Sequence, residues 1–123
     1  MMKMLKSIFA SGMLLCAFTT HANAAPCSTY FSSYLYGSTP GNSQTVVHGP
    51  FTINCEGSFS GSIQRLSSAS MYIELEKLVG GSWVKVTTGY VSYNGTAGTY
   101  RFVVRNISAN SGDWKVDYRN PIY

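Results

Sequence analysis

Hydrophobic and polar residues alternate along much of the chain after residue 24, and no segment sustains a helical period. The alternation is clearest over residues 71–76, 100–105 and 114–118. Successive side chains of a β-strand point to opposite faces, so a period of two indicates strands with one buried face. The predicted inward-facing set is Phe51, Ile53, Cys55, Met71, Ile73, Leu75, Val84, Val86, Tyr100, Phe102, Val104, Trp114, Val116 and Tyr118.

Short turn signals separate the alternating segments. Gly80-Gly81 and Asn94-Gly95 are typical of tight hairpin turns, and residues 37–42 have the Gly, Pro and Asn content of a loop. This spacing predicts seven or eight short strands. We therefore expect an all-β fold, a small antiparallel β-sandwich or jelly roll, with a small closed barrel as the alternative.

The first 24 residues have the features of a bacterial-type signal peptide. Two lysines precede a largely apolar segment over residues 8–19, which is too short to span a bilayer, and an Ala-Asn-Ala sequence ends at Ala24. We predict that residues 1–24 are cleaved and that residues 25–123 form one domain. The protein is then exported, either to the periplasm or into the medium.

The cysteines and the charge of the chain narrow the possible compartments and partners. Cys27 and Cys55 are the two cysteines after residue 24, and a pair of this kind in an oxidising compartment predicts one disulfide. Seven basic residues against five acidic ones in the same segment leave a net charge of +2, without a basic cluster. This charge distribution argues against nucleic acid as a partner, and no segment is long enough for a membrane span.

Four segments of the C-terminal half resemble the bacterial pre-peptidase C-terminal domain, a small jelly roll appended to secreted proteases. The similar segments are residues 71–75, 81–83, 97–104 and 111–116, where an Ala-Gly-Thr-Tyr strand precedes a Ser-Gly turn and a final strand. The resemblance implies a jelly-roll fold and a non-catalytic module. The paired aspartates with which that family can hold calcium are missing from residues 71–75, so no binding residue is carried over.

No constellation in the sequence predicts catalysis, a cofactor or a metal site. His48 is the single histidine after residue 24, next to Gly49 and Pro50, and is interpreted as an exposed loop residue. Glu74 and Glu76 share one strand face, a spacing that glycosidase chemistry can use. We instead expect them on a solvent-exposed face, in weak surface pairs with Lys85, Arg101 or Arg105 on neighbouring strands.

Aromatic residues, and tyrosines above all, are the remaining candidates for function. Tyrosine and tryptophan on a β surface stack on sugar rings or anchor protein interfaces. We expect a non-catalytic module whose partner outside the cytoplasm is a glycan, a cell-wall polymer or a protein surface. The alternative is an inhibitor or immunity protein that blocks an enzyme or toxin; the oligomeric state stays open. The predicted ligand-binding residues are Tyr72, Trp83, Tyr90 and Tyr93, with Tyr30, Tyr34 and Tyr36 as further exposed candidates.

Overall fold

The computed structural model describes residues 25–123, and the predicted signal peptide lies outside this range. Its eight strands are β1 (Tyr30–Thr39), β2 (Ser43–Ile53), β3 (Gly57–Arg65), β4 (Met71–Val79), β5 (Ser82–Gly89), β6 (Val91–Gly95), β7 (Gly98–Asn106) and β8 (Gly112–Pro121). They form two antiparallel four-stranded sheets, in the orders β1-β8-β3-β6 and β2-β7-β4-β5. Strands β4 and β5 form a hairpin, and every other connection crosses between the sheets, which is the jelly-roll arrangement.

The core lies between the sheets and is built largely from the residues that the alternation predicts. The predicted burial of Val84 is wrong, since it is 44% exposed on β5, a strand at the edge of its sheet. Ile73, Leu75, Tyr100, Phe102, Val104 and Val116 have no measurable exposure. The interior also holds polar atoms, and each of the two largest side chains has a partner for its polar group. The Tyr100 hydroxyl donates to the Thr96 carbonyl at 2.7 Å, and Trp114 Nε1 donates to Thr39 Oγ1 at 2.9 Å.

The predicted disulfide is present between Cys27 and Cys55, and it closes a loop with a sequence separation of 28. Backbone hydrogen bonds join the same region to the C-terminus. Cys27 N donates to the Glu56 carbonyl, and both Ser28 N and Thr29 N donate to the Tyr123 carbonyl. The two ends of the described chain are therefore held side by side at one end of the sandwich.

The prediction of a loop over residues 37–42 is wrong for its first half, because β1 continues to Thr39. Residues Gly37–Thr39 pair with β8, and Gly37 lies opposite Trp114. A Cβ at Gly37 would lie 2.5 Å from the Trp114 ring, so this glycine leaves room for the indole rather than marking a turn. Pairing with a strand distant in sequence thus overrides a local turn signal.

Candidate functional site

The outer surface of the sheet β1-β8-β3-β6 carries exposed tyrosines beside short hydroxyl side chains. We call this surface the tyrosine–serine face. Its residues alternate with buried ones, as Ser58 and Ser60 do with the core residue Phe59. The register places Tyr34 opposite Asp117, and Asp117 opposite Ser62. The face comprises Tyr30, Ser32, Tyr34 and Tyr36 of β1, Lys115, Asp117 and Arg119 of β8, and Ser58, Ser60 and Ser62 of β3.

A shallow groove of about 370 Å³ runs across the middle of this face. Its lining includes Ser60 and Ser62 of β3, Asp117 and Arg119 of β8, and Tyr90 from the crossing between the sheets. The groove exists because the serine side chains at its centre are short, whereas the tyrosines at its sides are large. Tyr90 is 67% exposed, so its ring is available to a ligand in the groove.

Cationic side chains of β8 lie against the tyrosine rings of β1. Tyr34 and Tyr36, both 60% exposed, meet edge to face with 6.1 Å between their ring centroids. Lys115 Nζ lies 5.1 Å from the Tyr34 centroid, and the Arg119 guanidinium lies 3.9 Å from that of Tyr30. Such cation–π contacts favour one orientation of each ring. The face therefore presents ordered aromatic surface rather than freely rotating side chains.

The polar groups of the face supply both donors and acceptors. Serine hydroxyls do both, the Arg119 guanidinium donates, and the Asp117 carboxylate accepts. Asp117 is exposed and lies 3.8 Å from Lys115 Nζ, a separation at which an ion pair contributes little stability. These groups are thus available to bind a ligand with many hydroxyls.

On the opposite sheet, the predicted exposure of Glu74 and Glu76 is wrong, since they are 1% and 6% exposed. The predicted cross-strand pairing is confirmed: Glu74 binds Arg105 at 3.1 Å and Lys85 at 3.2 Å, and Glu76 binds Arg101 at 2.7 Å. The cations lie over the carboxylates and exclude water from them. Both carboxylates are buried beneath the cations on the outer side of this sheet. Neither carboxylate faces an open cleft.

The four predicted ligand-binding residues do not form one cluster. Tyr72 and Trp83 lie on the outer side of the sheet β2-β7-β4-β5, where the Arg101 guanidinium stacks over the Trp83 ring at 4.2 Å. Tyr90 lines the groove, and Tyr93 packs toward the core, 6.2 Å from Phe59. Sequence reasoning did not identify the serines, Asp117 or Arg119 as partners of the tyrosines. The Ser-x-Ser-x-Ser alternation over residues 58–62 was the available signal.

His48 is not the exposed loop residue that we expected. It lies in β2 and stacks among aromatic rings, 4.9 Å from Tyr118, 5.0 Å from Phe51 and 5.5 Å from Phe31 between centroids. Burial lowers the pKa of its imidazole, because the charged form loses hydration there.

Among residues 25–123, no group of three or more His, Cys, Asp or Glu side chains is placed to hold a metal ion. Within the same range, no helix is long and apolar enough to cross a membrane.

Comparison with known proteins gives a likeness of fold. No protein-family model matches the sequence, and no curated protein matches it. Among solved structures, the chain is similar to the Yersinia pseudotuberculosis-derived mitogen, with a TM-score of 0.57 and 15% sequence identity. The alignment covers 77% of this chain and 88% of the mitogen chain. The two proteins share a small β-sandwich, and at this identity the likeness extends to the fold alone.

Proposed function

We propose that the protein is an exported, non-catalytic domain that binds carbohydrate through the tyrosine–serine face. The observation that carries the proposal is the groove, in which the exposed Tyr90 ring and short serine side chains lie beside Asp117 and Arg119. The exposed tyrosines of β1 adjoin this groove, since Tyr34 pairs with Asp117. A sugar ring has one apolar face and a rim of hydroxyl groups. The aromatic rings match the first property, and the serine, aspartate and arginine side chains match the second.

The charge of the face narrows the class of glycan. Lys115 and Arg119 are matched by Asp117 and by Asp113, which points outward from the start of β8, so the charges that β8 places on this side of the sheet cancel. A neutral glycan suits this balance, whereas a densely charged polymer would need a basic cluster.

The scaffold limits the entropic cost of binding. Apart from Tyr90, which lies between β5 and β6, the binding residues lie on three hydrogen-bonded strands, and β8 is paired on both sides, with β1 and β3. A site that is already ordered loses little conformational freedom when a ligand binds. The disulfide is in keeping with this role outside the cytoplasm, because such bonds persist in oxidising compartments.

A glycan array tests the proposal. The exported protein, purified with its disulfide intact, is applied to immobilised neutral and acidic oligosaccharides, and the affinity for the best binder is then measured. We expect Tyr34→Ala and Tyr36→Ala each to weaken binding by about thirtyfold, the effect of a 2 kcal/mol hot spot. Tyr123→Ala is the matched control, because Tyr123 is also an exposed tyrosine, 66% accessible, but lies off the face.

The outcomes are distinct. Loss of binding in the two β1 variants, with the control unchanged, supports the proposal. Loss in Tyr72→Ala alone would overturn the proposed face and move the binding surface to the opposite sheet, which carries the predicted residues Tyr72 and Trp83. Absence of binding to every glycan would refute carbohydrate recognition.

A protein partner is the second candidate, and the edge position of β1 favours it. Among residues 25–123, this strand has β8 on one side and no strand on the other, and its Phe31 and Leu35 side chains are about 40% exposed. An unpaired edge with apolar side chains can add a strand from another protein. The similar structure, a mitogen, and the predicted inhibitor or immunity role both accord with protein recognition. Recovery of one protein at a one-to-one ratio from envelope or medium fractions would support this candidate.

A further inference from the structure

Within residues 25–123, four strands form the edges of the two sheets, namely β1, β6, β2 and β5. Natural edge strands are protected from further pairing by charges, proline, bulges or shortness. Strand β6 has only five residues. Strand β2 contains Pro50 and two register shifts, and β5 carries Lys85 and pairs with β4 through a register shift. Three of the four edges are therefore protected against the regular addition of another strand.

Strand β1 is the unprotected edge, because it is long, regular and uncharged. Its ten residues, Tyr30–Thr39, pair with β8 in one uninterrupted register. The segment contains no Asp, Glu, Lys, Arg or Pro. In the part of the chain that the structure describes, no strand covers its other side. The backbone donors and acceptors along that side are open to another strand of similar length.

The side chains of β1 are complementary to a second copy of the same strand. In an antiparallel pairing centred on Leu35, this residue lies opposite Leu35 of the second copy, and Tyr34 of each copy lies opposite Tyr36 of the other. Leu35 is 42% exposed and both tyrosines are 60% exposed, so each has surface to lose. Apolar and aromatic cross-strand pairs stabilise a sheet. Shifting one strand by two residues places Leu35 opposite Ser33 or Gly37 and removes these matches.

We propose that the protein forms a symmetric homodimer in which two β1 strands pair antiparallel about Leu35, joining two four-stranded sheets into one of eight strands. A two-fold interface brings the same surface of each copy together, and β1 meets this requirement because its central residues match themselves. A strand of another protein is disfavoured, since complementary charges usually select a foreign partner and its register, and β1 has none.

The dimer would extend the tyrosine–serine face. The two-fold axis is perpendicular to the joined sheet, so the faces of both copies lie on the same side. Tyr34 and Tyr36 of each copy then form a group of four tyrosines between the two grooves. A glycan polymer long enough to reach both grooves would contact both copies at once. This consequence rests on the proposed carbohydrate binding, whereas the dimer itself does not.

Sedimentation equilibrium of the purified, disulfide-bonded protein, without glycan, tests the dimer. We expect mostly dimer at about 100 μM, for a dissociation constant on the order of 10 μM at a small interface. Leu35→Lys places like charges opposite each other and should weaken the dimer by about tenfold or more. Leu78→Lys is the matched control, because this leucine is 39% exposed but lies on β4. A monomeric parent protein at every concentration would overturn the proposal and leave β1 to a strand of another protein. An unchanged dimer in Leu35→Lys would also overturn it.

Cross-linking tests the register. Opposite Cα atoms of antiparallel strands lie about 4.5–5.5 Å apart, within the range of a disulfide. Mild oxidation of Leu35→Cys should therefore give a covalent dimer. Ser33→Cys is the control, because its two copies would be four residues out of register, about 13 Å apart. A covalent dimer of Ser33→Cys but not of Leu35→Cys would overturn the pairing about Leu35.

The dimer and the proposed carbohydrate binding can fail separately. Leu35 pairs with the buried Val116 and so points to the side of β1 away from the tyrosines. Leu35→Lys should therefore bind one short oligosaccharide in solution as the parent does, and lose only the avidity that two grooves give on an array. A dimer that binds no glycan would refute the proposed function alone, and a monomer that binds glycan would refute the dimer alone.

Discussion

Removing the acidic member of the ion pairs around Glu74 should lower the stability of the protein less than removing the basic members. The carboxylate is 1% exposed, whereas the side chains of its partners Lys85 and Arg105 are 45% and 36% exposed. Glu74→Gln leaves two cations that can turn into water. Replacing Lys85 and Arg105 by methionine retains apolar stems over Glu74 but leaves a buried carboxylate without an opposite charge.

The burial of each partner sets the expected magnitudes. For Glu74→Gln we expect a loss of about 1–2 kcal/mol in the free energy of unfolding, because the amide can still accept from Thr88 Oγ1, now 2.8 Å from Oε2. For the Lys85→Met/Arg105→Met double variant we expect about 3–5 kcal/mol, the cost of an unpaired buried charge. Adding Glu74→Gln to the double variant should restore much of the loss.

Urea denaturation at neutral pH measures all three variants against the parent. Lys115→Met is the control, because its partner Asp117 is 58% exposed at 3.8 Å, and we expect a change within about 0.5 kcal/mol. If the double variant were as stable as Glu74→Gln, water would be reaching the carboxylate. The interpretation of Glu74 as a buried charge held by its two cations would then be wrong.

Three further predictions concern stability and are also measured by urea denaturation. The Cys27→Ala/Cys55→Ala variant should lose about 3.6 kcal/mol, from the closure entropy of a loop with a separation of 28; an unchanged value would contradict this. Thr39→Val removes the acceptor of Trp114 Nε1 in the core and should cost about 1–3 kcal/mol, whereas a neutral effect would imply another partner. Burial lowers the pKa of His48, so the unfolded state binds more protons and stability should fall as pH drops below 6.5. His48→Phe should remove that dependence above about pH 5, and an unchanged pH profile would refute the assignment.

The sequence by itself determined most of the strands and most of the core. Alternate residues of a strand, such as Met71, Ile73 and Leu75, point to the same face of the sheet. When all of them are apolar, that face is the one that packs in the core. The disulfide also followed from the sequence, since two of the three cysteines come after the predicted signal peptide and these two have one possible pairing. The ion-pair partners of Glu74 and Glu76 were predicted from residue type and strand position.

Only the tertiary structure decided which outward-facing residues meet and which are covered. Alternation states that Glu74 points away from the core, but its burial depends on Arg105, which lies 31 residues away. The tyrosine–serine face has the same origin, because β1 and β3 both pair with β8, and Tyr34 and Ser62 thereby flank Asp117. His48 is half-buried among aromatic rings of β1, β2 and β8 although its neighbours Gly49 and Pro50 indicate a loop. The pattern of a strand determines the direction in which each side chain points. The neighbouring strands determine what surrounds that side chain, and the candidate site depends on those surroundings.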